Sequence, residues 1–219
     1  MTLQQDLSSI AATRSEILSK IGPDVVLVAV SKKQPDERIE AALAAGQRVF
    51  GENRVQEAQG RWTDRRDIDG LKLHLIGPLQ TNKAEDAVQL FDVIETLDRE
   101  KLLNALIKAV DKTGVVAPEL MIQVNIGDEP QKAGVSVDEL PELLAAARAQ
   151  WPGDITGLMC IPPADEPAAP YFALLKKLAD LHGLTKVSMG MSADYPLAVS
   201  LGATHVRVGS ALFGARPPQ

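Results

Sequence analysis

Residues 25–33 read VVLVAVSKK. Five of the first six are Val or Leu; Gly22-Pro23 precede the run and Gln34-Pro35 close it. Branched apolar residues suit a pleated surface, so the stretch reads as a strand. It is apolar on both faces, the pattern of a parallel strand buried between layers. Lys32 ends it on the period-two face of Val26, Val28 and Val30. A lysine there is either a solvated strand end or an amine directed into a site. Lys33 faces the other way and reads as its solvated neighbour.

The same reading extends along the chain. Residues 3–19 predict a first helix, with a stripe of Leu3, Leu7, Ile10, Ala11, Ile17 and Leu18. After the Lys32 strand, Asp36 caps a helix to Ala45, where Gly46 stops it. Seven further strands follow: RVFGEN (48–53), KLHLIGP (72–78), LFDVIET (90–96), ELMIQVN (119–125), ITGLMCI (155–161), TKVSMG (185–190) and THVRVGS (204–210). Helix signals lie between them at 55–67, 82–88, 98–112, 138–149, 171–181 and 193–201, with a terminal turn at 211–215. Strands alternating with helices mean βαβ units and a parallel sheet. Eight of them is the number that closes a (β/α)8 TIM barrel. The competitor is a doubly wound open sheet. No linker or low-complexity segment divides the chain, so residues 1–219 form one barrel domain with an extra N-terminal helix.

The chain has 219 residues, a net charge of −6 and 45% hydrophobic content. An acidic balance argues against a nucleic-acid footprint, which needs clustered positive charge. It leaves room for a small anion in a local positive pocket. No apolar run approaches the ~18 residues of a membrane span. The N-terminus lacks the tripartite signal-peptide pattern, so the expected location is cytoplasmic. The single cysteine, Cys160, cannot form an internal disulfide and reads as a small buried hydrophobe. No pattern calls for a metal.

The polar residues gather at strand ends. Lys32, Asn53, Glu95, Asn125, Arg207, Gly209 and Ser210 all close predicted strands, and His74 lies within one. In a barrel these ends converge on the rim where active sites are built. SMGMS (188–192) and VGS (208–210) follow the last two strands. They supply Gly190, Ser192, Gly209 and Ser210, a set of amide N–H groups and hydroxyls suited to a phosphate. Ser192 also suits the cap of the next helix. A lysine facing a phosphate nest suggests pyridoxal 5′-phosphate (PLP), held as a Schiff base. Arg207 would then face the pyridine nitrogen. As a pure donor it would keep that nitrogen unprotonated. The plainer reading of Arg207 is an ion pair with Glu52 or Glu95.

Six segments carry a family resemblance: AVSK (29–32), FGENRVQE (50–57), HLIGPLQTNK (74–83), VNIGDEPQKAG (124–134), GLMCIPP (157–163) and SMGMSADYPLAVSLGATHVRVGSALFG (188–214). The sequence resembles the pyridoxal phosphate homeostasis proteins, of the alanine-racemase N-terminal-domain class, nearly end to end. The resemblance implies a fold-type-III barrel with PLP on Lys32. It implies phosphate contacts from Ser192, Gly209 and Ser210, and a ring-nitrogen contact from Arg207. Asn53 matches a position near the cofactor, and His74 and Met191 match positions near the pocket. The implied role is reversible PLP holding that limits the free cofactor, in a mostly monomeric cytoplasmic protein. Implied partners are PLP, free amino acids and PLP-accepting apoenzymes.

The alternative is a PLP-dependent amino-acid racemase. Racemisation needs a base on each face of the cofactor. In alanine racemases the second base is a tyrosine from a further domain, and the expectation here is that this domain is lacking. Tyr171 and Tyr195 are the only tyrosines, and Tyr195 reads as packing. Arg207 would also weaken the ring as an electron sink. The expectation is therefore a non-enzymatic protein.

Overall fold

A computed structural model describes residues 3–215, with side chains described from Ser8 onward. In chain order the elements are α1 (Leu3–Ile21), β1 (Val26–Val30), α2 (Asp36–Ala44), β2 (Val49–Glu52), α3 (Val55–Trp62), β3 (Lys72–Leu75) and α4 (Ala84–Leu90). There follow β4 (Val93–Leu97), α5 (Glu100–Thr113), β5 (Glu119–Val124), α6 (Leu140–Gln150), β6 (Ile155–Cys160), α7 (Ala169–Leu181), β7 (Lys186–Met191), α8 (Tyr195–Ser200), β8 (His205–Val208) and α9 (Ser210–Phe213). The strands are parallel neighbours in sequence order, and β8 closes back on β1. Val28 pairs with Arg207 across that seam. The open-sheet alternative is excluded.

Alternation along the strands sorts the core into two compartments. Leu27, Ala29, Leu73, Leu75, Ile94, Leu158, Val206 and Val208 join one apolar cluster with helix residues such as Ile39, Trp62, Leu103 and Phe172. Their strand neighbours point into the barrel. Val28, Met121 and Met159 there are fully buried. So are His74, Glu95, Gln123, Ser188, His205 and Arg207, or nearly so. A barrel interior is usually filled by branched apolar side chains. This one carries a polar spine.

Most strands are shorter than the sequence suggested, while β7 keeps its six residues shifted by one. β1 stops at Val30, and Ser31–Lys33 leave the sheet in a turn. Lys33 there takes φ 56°. Asp36 is the first residue of α2 rather than its cap, because Pro35 holds the cap position. The α1 stripe is Ile10, Ile17 and Ile21, with Leu18 half-buried against the core; Ala11 is exposed. Arg14 completes the face, its Nε donating to Gln47 Oε1 at 2.9 Å. The side chains of Leu3 and Leu7 lie outside the described residues. No described helix is long and apolar enough to cross a membrane. Among the described residues, no cluster of His, Cys, Asp or Glu could hold a metal.

Candidate functional site

The C-terminal mouth of the barrel opens into a cleft of about 310 Å³, at the low end of the ~300–1,000 Å³ typical of small-molecule sites. Lys32, Asn53 and Met191 line it, from the ends of β1, β2 and β7. Ser192, Arg207, Gly209 and Ser210 line it from the β7–α8 and β8–α9 side. Val30, Ile76 and Ile161 supply apolar walls. Among the described residues, two cations and no carboxylate line the cleft, in a chain of net charge −6. Seven of the eight sequence-predicted residues therefore meet in one place. The eighth, His74, does not line the cleft. It is buried inside the barrel, its Nδ1 donating to Glu95 Oε1 at 2.6 Å.

Ser192 does not cap α8; Asp194 holds that position. Its Oγ instead accepts the N–H of Gly209 and of Ala211, each at 3.2 Å. The loop after β7 is thus tied to the loop after β8. With both lone pairs engaged, the hydroxyl still has a hydrogen to donate. Ser210 opens α9, so its amide belongs to the first turn, whose N–H groups have no intrahelical acceptor.

Arg207 is 3% exposed. Its Nη1 donates to Ser188 Oγ at 2.7 Å and its Nη2 to the Cys160 carbonyl at 2.7 Å. Ser188 Oγ passes its own hydrogen to Glu95 Oε2 at 2.5 Å. The sequence suggested a direct pair of Arg207 with Glu52 or Glu95. The structure inserts a serine between Arg207 and Glu95, and Glu52 belongs to another network. Burial alone would push the Glu95 carboxyl up. The hydrogen bond and electrostatic pull of His74, the Arg207 charge and the Ser188 hydroxyl outweigh it and hold Glu95 at about 2. Glu95 is therefore an anion at neutral pH, the counter-charge of the buried guanidinium.

Deeper in the barrel, His205 sits 5.9 Å from His74, ring centre to ring centre. Burial lowers His205 to about 4, against the pull of Glu95 and with His74 and Lys186 adding to the effect. Cys160 is fully buried, and burial pushes its thiol up to about 12, so it is an inert hydrophobe that contributes its carbonyl.

Of the buried side-chain atoms left without a partner among the described residues, that of Asn53 is the one that lines the cleft. Its Oδ1 is buried with no hydrogen-bond partner. Its backbone is fixed by Gly77, where a Cβ would come within 2.2 Å of the Asn53 carbonyl. Neither tyrosine lines the cleft: Tyr195 is 6% exposed in the core, and Tyr171 bonds Glu166.

Sequence reasoning missed Ser188 and the part played by Glu95. An acid within the apolar run of β4 was the available signal for Glu95. It also missed Arg61, an unremarkable charge on a helix, which reaches back to the turn bearing Lys32.

The sequence profile of the alanine racemase N-terminal domain family matches residues 5–217. The pyridoxal phosphate homeostasis protein of Pseudomonas aeruginosa is 39% identical, over 98% of this chain and 96% of its own. The protein of that name in Escherichia coli K12 is 38% identical, over 97% and 93%. Among solved structures, PipY of Synechococcus elongatus with PLP bound superposes with a TM-score of 0.85 at 40% identity, covering 94% of this chain and all of PipY. An alanine racemase of Clostridium difficile 630 superposes with a TM-score of 0.77 at 15% identity, covering 97% of this chain but 58% of the racemase. That last likeness concerns the fold alone.

Proposed function

This chain belongs to the alanine racemase N-terminal domain family, among its pyridoxal phosphate homeostasis proteins, and from that membership we propose that it holds PLP reversibly in the barrel mouth and so limits the free cofactor. The observation that carries the reading is the convergence of Lys32, Arg207 and the Ser192–Gly209–Ser210 loops on one cationic cleft. The residues present fit the cofactor. The Asn53 oxygen awaits a donor, the Ser192 hydroxyl has a hydrogen to give, and the lining holds no carboxylate to repel a phosphate.

When bound, PLP supplies an aldehyde that an amine can capture. Lys32 is the amine. Ser192, Gly209 and Ser210 would hold the phosphate through hydroxyl and amide donors. Arg207 would address the ring nitrogen. With Nη1 and Nη2 already committed to Ser188 and Cys160, its guanidinium plane is fixed. An arginine gives hydrogen bonds and no proton, so it leaves the ring a poor electron sink. His74 acts from below, by orienting Glu95. No second base faces the cleft from either tyrosine. The likeness to pyridoxal phosphate homeostasis proteins supports reading this protein as a holder of the cofactor rather than an enzyme.

The reading includes exchange of the cofactor with free amino acids and delivery to apoenzymes. It also includes a monomeric chain in the cytoplasm. Borohydride reduction of the PLP-loaded protein, followed by peptide mapping, tests it. A phosphopyridoxyl group on Lys32 is expected; one on Lys33, or none, refutes the assignment.

A further inference from the structure

The turn that carries Lys32 is held by a device outside the cleft. Arg61 projects from α3 and is 15% exposed at its side chain. Its Nη1 donates to the Ser31 carbonyl at 2.7 Å and its Nη2 to the Gln34 carbonyl at 2.7 Å. One planar guanidinium thus fixes both ends of the segment that contains Lys32 and Lys33. The fork is held in turn by Glu52, whose carboxylate is fully buried. Glu52 Oε1 accepts from Arg61 Nη1 at 3.0 Å, Trp62 Nε1 at 3.0 Å and Ser31 Oγ at 2.7 Å. Its Oε2 has no hydrogen-bond partner. Three donors crowding one oxygen while the other stays bare is an arrangement set by position, not by best satisfaction of the carboxylate.

Between the clamped carbonyls, Lys33 sits at φ 56°, a region that non-glycine residues seldom enter and hold only where the surroundings over-determine it. The outcome is a division of labour between adjacent lysines. Lys32 lines the cleft, and Lys33 is exposed. Glu52 is the last residue of β2, so the same strand end delivers the clamp on one side and Asn53 on the other.

We propose that Arg61 and Glu52 are positioning residues that fix the Ser31–Gln34 turn and so select the Lys32 amine, rather than Lys33, for capture of the cofactor aldehyde. This rests on the PLP reading above. A nucleophile's advantage comes from being held near its target, and a displacement of about 1 Å costs on the order of a hundredfold.

The test compares two ligands on the full chain. PLP can bond to an amine; pyridoxine 5′-phosphate carries an alcohol in place of the aldehyde and binds only through its ring and phosphate. In the parent protein the expected result is a strong preference for PLP, with the borohydride-trapped group on Lys32. Absence of that preference in the parent refutes the cofactor reading itself. In Arg61→Met, the expected result is a PLP affinity roughly ten- to a hundredfold lower. Affinity for pyridoxine 5′-phosphate should stay within about twofold, a bound below the effect of losing any ligand contact. Part of the trapped group should move to Lys33. Arg61→Lys, which can reach one carbonyl but lacks the fork, should fall between the two. If Arg61→Met does not fold, Ser31→Ala removes a single clamp contact and should lower the same preference to a smaller degree. Equal losses for both ligands, or an unchanged preference, overturn the clamp.

Discussion

Replacing Glu95 with Gln should cost this protein a measurable part of its stability, and the cost should shrink in acid. Glu95 ordinarily titrates near 4.5 and is held at about 2. At about 1.4 kcal/mol per pH unit, the difference is about 3 kcal/mol of stability. The substitution deletes the charge that balances Arg207 inside the barrel, and broken buried pairs elsewhere cost a similar ~3–5 kcal/mol. For a chain of this length each kcal/mol moves Tm by about 2–4 °C, so the variant should melt roughly 6–12 °C lower at pH 7. The sign follows from proton uptake. Below pH 4.5 the unfolded chain protonates this carboxyl first, so the parent loses the contribution progressively as the pH falls toward 2. The variant has no such group to lose. Thermal melts of both proteins between pH 7 and pH 3 should therefore converge. A variant melting within about 2 °C of the parent at pH 7, the effect of ~1 kcal/mol at most, would show that the His74–Glu95–Ser188–Arg207 chain does not support the fold. A gap that persists undiminished in acid would refute the ionised Glu95.

Three other outcomes follow from the same geometry. Ser192→Ala removes the acceptor shared by the Gly209 and Ala211 amides and, on the proposed reading, a donor to the phosphate. A lost hydrogen bond to a charged group is worth about 1.5–3 kcal/mol, so equilibrium titration should show PLP bound roughly ten- to a hundredfold more weakly. His205 titrates at about 4 in the folded chain against 6.5 ordinarily, so the unfolded state takes up its proton first and stability falls between those values as acid is added. His205→Gln should flatten that part of the melting profile, and an unaltered slope would place the titration elsewhere. Loaded with PLP in heavy water, the chain should leave the α-hydrogen of common amino acids unexchanged; rapid deuterium uptake by mass spectrometry would refute the non-enzymatic assignment.

The barrel was legible because a parallel strand covered on both faces leaves a run of branched apolar residues that little else produces. Lys32 and Arg207 stood out as charges embedded in such runs, and both face the cleft. What the sequence could not convey was depth and reach. His74 and Arg207 both point into the barrel, but one lies below the cleft and the other at its floor. That difference depends on register across neighbouring strands, not on the residues beside them. Ser192 looked like a helix cap because serine before a helix so often is one. Its true partners, Gly209 and Ala211, come from the next loop, which only the closed barrel brings alongside. Arg61 was invisible for the same reason: its partners Ser31 and Gln34 are set by how α3 lies over the turn after β1.

Lys32 follows the first strand, and Gly209 and Ser210 follow the eighth; the cleft straddles the seam where those two strands meet. On the proposed reading, a growing chain carries the amine almost from the start, gains the Ser192 hydroxyl after the seventh strand, and gains the Gly209 and Ser210 amides only after the eighth. A ligand bound to both sides of the seam would work as a clasp that resists its reopening. Proteolysis with and without cofactor would register that clasp as slower cleavage between the first and last strands.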